Sequence, residues 1–328
     1  MKKKGIGIGC IFYGTGYGNG FPDVSTVIVE ILEDASVLVL TGAADCGQGS
    51  TTVLAQIAAE EVGVPLDKIV VHWADTGGTP DSGTTAATRH TYATGNAVRL
   101  AAQQARNVLL QWARRELEVN AIEGLSICDG HLLVKNYPER QIPLEEICQK
   151  AKLAGEVLIG KGTFTTHTTR VSLEDGQGAP YWPYTFGVQI AEVEVDLETG
   201  KVDILRIVAA HDVGRAINPV SVEGQIEGGI AQGVGWSLYE AVELQDGRIK
   251  NPSFSTYLMP TVLDLPEMEL IIVEDYEPSG PYGAKGIGEP ALLPTAPAIL
   301  NAIYNATGVR INDLPATPEK VLAALKKK

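Results

Sequence analysis

The stretch GAKGIGEPALLPTAPAILNAI (residues 283–303) sets one carboxylate, Glu289, between a glycine-rich turn and a long apolar run. An acid at the mouth of a buried helix is costly unless something pairs with it or uses it. It could serve as a proton acceptor, or it could simply favour the helix start beside Pro290. Two other stretches offer anion chemistry. ADCGQGSTT (44–52) sets a glutamine, Gln48, between Gly47 and Gly49 at a helix entry. Helix starts carry partial positive charge, and glycines let a backbone approach a ligand closely. DSGTTAATRHT (81–91) repeats the theme: small and hydroxylic residues, Ala86, Ala87 and Thr88 among them, precede Arg89 at a second helix entry. Each loop can also be read as an ordinary turn with a capping Ser or Thr. The first is no P-loop, because the G-K-[ST] ending is missing.

GRAINPVSVEGQIEGGIAQG (214–233) carries acids and glutamines on a helix dotted with glycines, each costing roughly 1 kcal/mol in a helix. Close packing against another helix explains most of them, and Gln225, whose amide both donates and accepts, is the candidate for ligand contact. FYGTGYGNG (12–20) places Tyr13 among glycines, where an aromatic ring could cover a planar substrate or make a lid or subunit contact. His211 and Asp212 could suggest a base or a metal pair. Five histidines without H-x-x-x-H spacing speak against a histidine-held metal, and His211 reads as structural.

These residues need a scaffold. STVIVEILEDASVLVLTG reads as two strands turned at Asp34-Ala35, STTVLAQIAAEEVG as a helix stopped by Gly63, and DKIVVHWAD as a strand. A long alanine-faced helix, a hairpin turned at Asp129-Gly130 and a short helix ending at Gly155 follow. Residues 160–184 read as irregular. A second hairpin turned at 198–200, the glycine-dotted helix, a strand over EMELIIVED and a last helix closed by Gly308 complete the plan. VIVEILEDASVLVLTGAADCGQG and AEVEVDLETGKVDILRIVAAHDVGRAINP share one layout of hairpin, Asp, Gly and helix entry. The expected fold is α+β, two similar lobes of sheet plus helices, divided as 1–165 and 166–328.

The totals exclude several classes. With 328 residues, 45% of them apolar, a large core is available. A net charge of −14 excludes nucleic acid as the main partner, since phosphate binding needs a basic stripe. No run approaches the ~20 apolar residues of a membrane span. Cys10, Cys46, Cys128 and Cys148 form no C-x-x-C pair, so neither a zinc site nor a cysteine-held iron–sulfur cluster is encoded. Scattered cysteines suit a reducing cytoplasm.

GQGSTTVLAQIAAEEVGVP, DTGGTPDSGTTAATRHT, HDVGRAINPVSVEGQIEGGIAQGVG and GAKGIGEPALLPTAPAILNAI, in this order, resemble the molybdenum-cofactor subunits of the xanthine dehydrogenase and aldehyde oxidase family, the molybdenum hydroxylases. The resemblance runs from about Gly5 to the C-terminus and covers the C-terminal half of a chain usually more than twice as long. Within the family, the size and the opening GIGIGC…YG resemble the medium subunits of bacterial nicotinate dehydrogenases.

The resemblance implies the molybdopterin-binding fold and a set of roles. Glu289 matches the active-site glutamate beside molybdenum, the base for hydroxylation, with apolar walls raising its pKa. Gly47, Gln48 and Gly49 match a loop on the pterin. Ala86, Ala87, Thr88 and Arg89 match the loop holding pterin and dinucleotide phosphates, with Thr88 where the family often has Ser. Gln225 matches a cofactor-contacting glutamine. The implied cofactor is molybdopterin cytosine dinucleotide, its molybdenum carrying a sulfido or selenido ligand and held through the pterin rather than by side chains. The implied partners are a large molybdopterin subunit, an iron–sulfur (2Fe–2S) subunit and an FAD subunit passing electrons to NAD(P). The implied substrate is a small heteroaromatic, nicotinate to 6-hydroxynicotinate ahead of xanthine or another purine. Two readings stay beside it: a non-catalytic structural subunit of such a complex, and a free-standing binder of a phosphorylated ligand.

Overall fold

In the computed structural model, which describes residues 1–327, the elements in chain order are β1 (Lys2–Gly14), β2 (Val24–Ile31), β3 (Val37–Thr41), α1 (Ser50–Val62) and β4 (Ile69–Trp73). α2 (Gly95–Glu116), β5 (Leu125–Cys128), β6 (His131–Val134), β7 (Tyr137–Pro143), α3 (Leu144–Leu153) and β8 (Leu158–Thr165) come next. After them stand β9 (Tyr184–Asp196), β10 (Val202–Asp212), α4 (Pro219–Leu238), β11 (Leu244–Gln245), β12 (Arg248–Ile249), β13 (Glu267–Val273), α5 (Thr295–Thr307) and α6 (Pro318–Lys326).

Two compact units form. The first comprises Thr15–Pro183 with Tyr276–Gly286; the second comprises Met1–Gly14, Tyr184–Asp275 and Ile287–Lys328. The expected linear division at 165/166 is therefore corrected. β1 pairs with β9 along its whole length, from Lys2 opposite Asp196 to Gly14 opposite Tyr184, which draws the N-terminus into the second unit. Residues 160–184 are also less irregular than expected, because β8 runs to Thr165 and pairs with β2.

Each unit has a four-stranded sheet, of order β8-β2-β3-β4 in the first and β1-β9-β10-β13 in the second. The first two pairings are antiparallel and the last is parallel in both. α1 follows β3 as α4 follows β10, and α2 follows β4 as α5 follows β13. The repeated layout seen in the sequence is thus a repeated topology. It puts the four chemically interesting stretches at matching places: 44–52 after β3, 81–91 after β4, 214–233 after β10 and 283–303 after β13. The first unit adds the small β5-β6-β7 sheet with α3.

The same close contact builds both units. Gly5, Gly7 and Gly9 fall on the inward face of β1, as strand alternation requires. A Cβ on Gly7 would collide with the backbone of Ala298 and Ala302, and one on Gly5 with that of Ala302 and Ala306, so α5 lies directly on the strand. In the first unit, Gly160 and Gly162 of β8 meet Ala97, Ala101 and Ala105 of α2 in the same way. Gly5, Gly7 and Gly9 are therefore a buried strand surface.

The other face of the second unit's sheet is charged at one end, with Lys2 and Lys4 paired to Glu194 and Glu192, and apolar and exposed at the other. Ile8 (52% exposed) stands opposite Ile190, and Phe12 (66%) stacks on Phe186 (55%). The edge of β1 is blocked, since Ile6 N donates to Asn305 Oδ1 (3.0 Å) and Asn301 Nδ2 donates to the Ile8 carbonyl (2.9 Å). Among the described residues no helix is long and apolar enough to cross a membrane.

Gly7→Ala should lower thermal stability by at least the ~1–3 kcal/mol of an overpacked core, because backbone cannot swing aside as a side chain can. Gly124→Ala, where a Cβ meets open space, should leave the melting temperature unchanged.

Candidate functional site

The loop entering α1 is folded around Asp45. Its carboxylate accepts from Gly47 N (2.9 Å), Gly49 N (3.3 Å), Thr51 N (3.0 Å) and Thr51 Oγ1 (2.9 Å). Burial pulls the Asp45 pKa up, but these donors outweigh it and hold the carboxyl below its ordinary value. The mouth of α1, expected to attract a phosphate, therefore already holds a negative charge. Gln48 is also engaged: Oε1 accepts from Cys46 N (2.6 Å), while Nε2 donates to the Ala44 carbonyl and to Ser50 Oγ (both 3.0 Å). The loop turns outward at Gly47, whose φ of +111° suits only glycine and whose missing Cβ faces open space.

The second loop meets the first. Thr85 Oγ1 donates to the same Ala44 carbonyl that Gln48 uses (2.9 Å). Ala87 and Thr88 sit at φ +52° and +59°, the left-handed region, which costs a non-glycine residue about 1–3 kcal/mol. Their surroundings hold them there. The Ala87 carbonyl accepts from Gly16 N (3.0 Å), and Gly286 lies so close to Thr88 that a Cβ would collide with its carbonyl. Five residues of π-helical winding, His90–Thr94, then lead into α2. π-Turns inside α-helices often mark functional sites.

Arg89 corrects the expectation of a guanidinium facing a ligand. It is 1% exposed. Nε donates to Asp23 Oδ1 (2.5 Å), one terminal nitrogen donates to the Ser82 carbonyl (2.6 Å), and the other donates to the Val24 carbonyl and Ser25 Oγ (both 2.9 Å). Its charge is spent on shaping the loop from beneath. Asp23 lies 66 residues away in sequence, so no local pattern could reveal the pair.

In the second unit, Glu289 opens a single 3-10 turn, Glu289–Ala291. Its carbonyl accepts from Leu292 N (3.0 Å), and its residue is exposed. That exposure departs from the apolar walls expected around it. α4 packs on that turn: a Cβ on Gly229 would stand 2.6 Å from Ala291 Cβ, and one on Gly233 would collide with Thr295. These glycines serve helix packing, as the sequence suggests for most of them. Gly224 and Gly228, beside half-buried Gln225 on α4, instead face open space. Tyr13 lies on β1 opposite Thr185 rather than on a loop.

One residue the sequence reading passed over lies beneath Glu289. Gln189 of β9 is fully buried at an inward position where a strand normally carries an apolar residue. It bonds to the Ala291 carbonyl, to Thr295 and to His211. His211 is fully buried, consistent with its structural reading. Among the described residues no cluster of His, Cys, Asp and Glu could hold a metal ion.

Residues 1–266 match the family model of the molybdopterin cofactor-binding domain. The chain belongs to the molybdopterin-binding family of xanthine dehydrogenases and aldehyde oxidoreductases. This molybdopterin-binding chain is 33% identical over 326 residues to the xanthine dehydrogenase molybdenum-binding subunit of Escherichia coli O157:H7, covering 97% of itself and 42% of that protein. It is 34% identical over 328 residues to the aldehyde oxidoreductase of Megalodesulfovibrio gigas, covering 99% of itself and 32% of that protein. Its fold matches the crystal structure of quinoline 2-oxidoreductase from Pseudomonas putida 86 with a TM-score of 0.87 at 29% identity, covering all of itself and 42% of that chain. It thus spans about two-fifths or less of the length of these proteins.

The two loops present small residues and backbone that a flat ligand could approach. Gly47 leaves its outer side bare, exposed Ala86 is small, and contacts with Gly16 and Gly286 hold the strained 87–88 backbone in one form. The charged groups beneath, Asp45 and Arg89, are engaged in supporting those loops.

Two predictions concern that support. Arg89→Met leaves Asp23 buried without its cation and should cost ~3–5 kcal/mol in chemical denaturation. A loss under about 1 kcal/mol would contradict the buried-pair account. The second is a pH effect. Burial, with the neighbouring Arg89 adding to it, lowers the His90 pKa from 6.5 to about 4; burial alone does the same for His211. The unfolded chain takes up these protons near 6.5 and the folded chain only near 4. Stability is therefore full above pH 6.5 and falls as pH drops towards 4, by up to roughly 3 kcal/mol per imidazole. Denaturation curves across that range should show the slope, and His90→Asn should roughly halve it, leaving the share of His211.

Proposed function

We propose that this chain is the medium molybdopterin-binding subunit of a multi-subunit molybdenum hydroxylase, working in the cytoplasm. It hydroxylates an N-heteroaromatic ring with water, nicotinate to 6-hydroxynicotinate first, and electrons leave through 2Fe–2S and FAD subunits to NAD(P). The observation that carries the reading is Glu289, an exposed acid seated on a turn packed from below, in a chain of this family. An acid kept at an exposed turn and built on a buried footing favours a catalytic subunit over a purely structural one.

The bound molybdopterin cytosine dinucleotide, with a sulfido or selenido ligand on its metal, supplies two-electron redox chemistry. This chain's residues do the rest. Gly47, Gln48 and Gly49 present a bare backbone edge to the pterin, while Ala86, Ala87 and Thr88 present a rigid small-residue edge to the pterin and phosphates. Arg89 acts on the cofactor through the shape it gives that edge. Gln225 adds an amide from α4. Glu289 takes up a proton at its carboxylate during hydroxylation. Tyr13 is a lesser candidate for substrate contact.

The exposure of Glu289 implies that its apolar surroundings come from outside these residues, from substrate, cofactor or the large molybdopterin subunit. The exposed apolar surface around Ile8, Phe12 and Phe186 supports such a partner. Similarity to a quinoline oxidoreductase favours a nitrogen heterocycle. Similarity to a xanthine dehydrogenase subunit keeps a purine as the second reading, and side-by-side turnover of nicotinate and xanthine by the holoenzyme separates the two.

Glu289→Ala should leave the molybdenum content of the assembled enzyme unchanged and lower turnover by at least ~10²–10⁴-fold, the usual worth of a general base. Near-normal turnover would overturn the assignment.

A further inference from the structure

We infer that Gln189 is a positioning residue for the active-site turn, clamping the segment that carries Glu289 to β9, one of the two inner strands of its sheet. The inference rests on the reading of Glu289 as the proton acceptor. It arises from a polar side chain where the fold calls for an apolar one. The inward residues that follow Gln189 on β9 are Ala191, Val193 and Val195, all fully buried in the core. Burying an amide there is unfavourable unless each of its groups finds a partner.

Gln189 finds them all, and they fix its orientation. Nε2 donates to the Ala291 carbonyl (2.8 Å), two residues beyond Glu289, and Oε1 accepts from Thr295 Oγ1 (2.6 Å), the first residue of α5. The second Nε2 hydrogen points at His211 Nε2 (3.1 Å). With the amide oriented by its other two bonds, that nitrogen accepts, which assigns His211 the neutral form with its proton on Nδ1, an atom buried without a partner. Gly187, one inward position earlier on β9, makes room for the ring, since a Cβ there would stand 2.5 Å from His211 Nδ1. Thr295 is itself fully buried.

One side chain thus ties both ends of the 291–295 stretch to β9 and leans on β10 through His211. Gly229 and Gly233 of α4 bring a second wall against the same two residues, Ala291 and Thr295. An acid must stay within tenths of an ångström of its proton donor to be effective, and a displacement of ~1 Å can cost 10²-fold. A hydrogen-bonded clamp restrains the turn in direction as well as distance, which apolar packing alone does not.

The test uses the assembled, cofactor-loaded enzyme. Gln189→Leu and Thr295→Val each break the clamp, and Thr295→Ser preserves it. The two breaking variants should lower kcat between ~10- and ~100-fold with KM and molybdenum content unchanged, and hydrogen–deuterium exchange should rise at the amides of Ala291, Leu292, Leu293 and Thr295. Thr295→Ser should keep both kcat and protection near wild type. Should Gln189→Leu fail to fold, Thr295→Val against Thr295→Ser decides the matter alone. Unchanged exchange at 291–295 would overturn the clamp whatever Glu289 does. Raised exchange with undiminished kcat would overturn its part in catalysis. Glu289→Gln measured alongside separates these from failure of the base assignment, which that variant's full activity would show by itself.

Discussion

Both units depend on a helix lying directly on the backbone of a strand. Wherever a strand gives up its side chains, it loses packing and conformational economy, so glycine runs in strands need a reason. Here the reason is closeness. With glycine on β1 and β8 and alanine on α5 and α2, helix and strand meet at backbone distance, and small displacements of either helix are resisted by hard contact. The entries to these same helices carry the Thr88–Arg89 loop and the Glu289 turn. A rigid seat for the helix becomes a rigid seat for the residues at its start.

On top of that seat, each loop has a polar footing, buried at Arg89 and Gln189 and half-buried at Asp45. Asp45 gathers three backbone N–H groups and a hydroxyl, Arg89 spans Asp23, Ser25 and two carbonyls, and Gln189 links Ala291 to Thr295. The charges are turned inward to shape the loops, and small residues and backbone face outward. This division explains how a chain of net charge −14 can serve an anionic cofactor. Recognition through a fixed backbone edge needs little local positive charge, while a flexible basic side chain would also lose conformational entropy on binding.

Much of this was legible in the sequence. The hairpins, the helix entries and the position of Glu289 follow from local periodicity and turn chemistry, and the two-copy layout follows from the spacing of Asp, Gly and helix starts. What was hidden depends on pairing across long stretches of chain. The glycine alternation at 5, 7 and 9 is a strand signal only once Ala298 and Ala302 are known to lie above it. β1 lies 170 residues and more from β9, so the swap of the N-terminus into the second unit leaves no local trace. Arg89 looks like an anion ligand until Asp23 is found beside it. Gln189 breaks the apolar alternation of β9, a signal that was present but unexplained without Ala291 and Thr295. The Asx-type turn at Asp45, with Gly47 two residues on, could have been read directly.

The central claim is that Glu289 works at the molybdenum. Anomalous diffraction at the molybdenum absorption edge, on crystals of the assembled enzyme, tests it by locating the metal without reference to activity. The account predicts the Glu289 carboxylate within hydrogen-bond reach of the metal's own ligands, with the 47–49 and 86–88 backbone along the pterin. A molybdenum peak well separated from Glu289, with other side chains around it, would contradict the account.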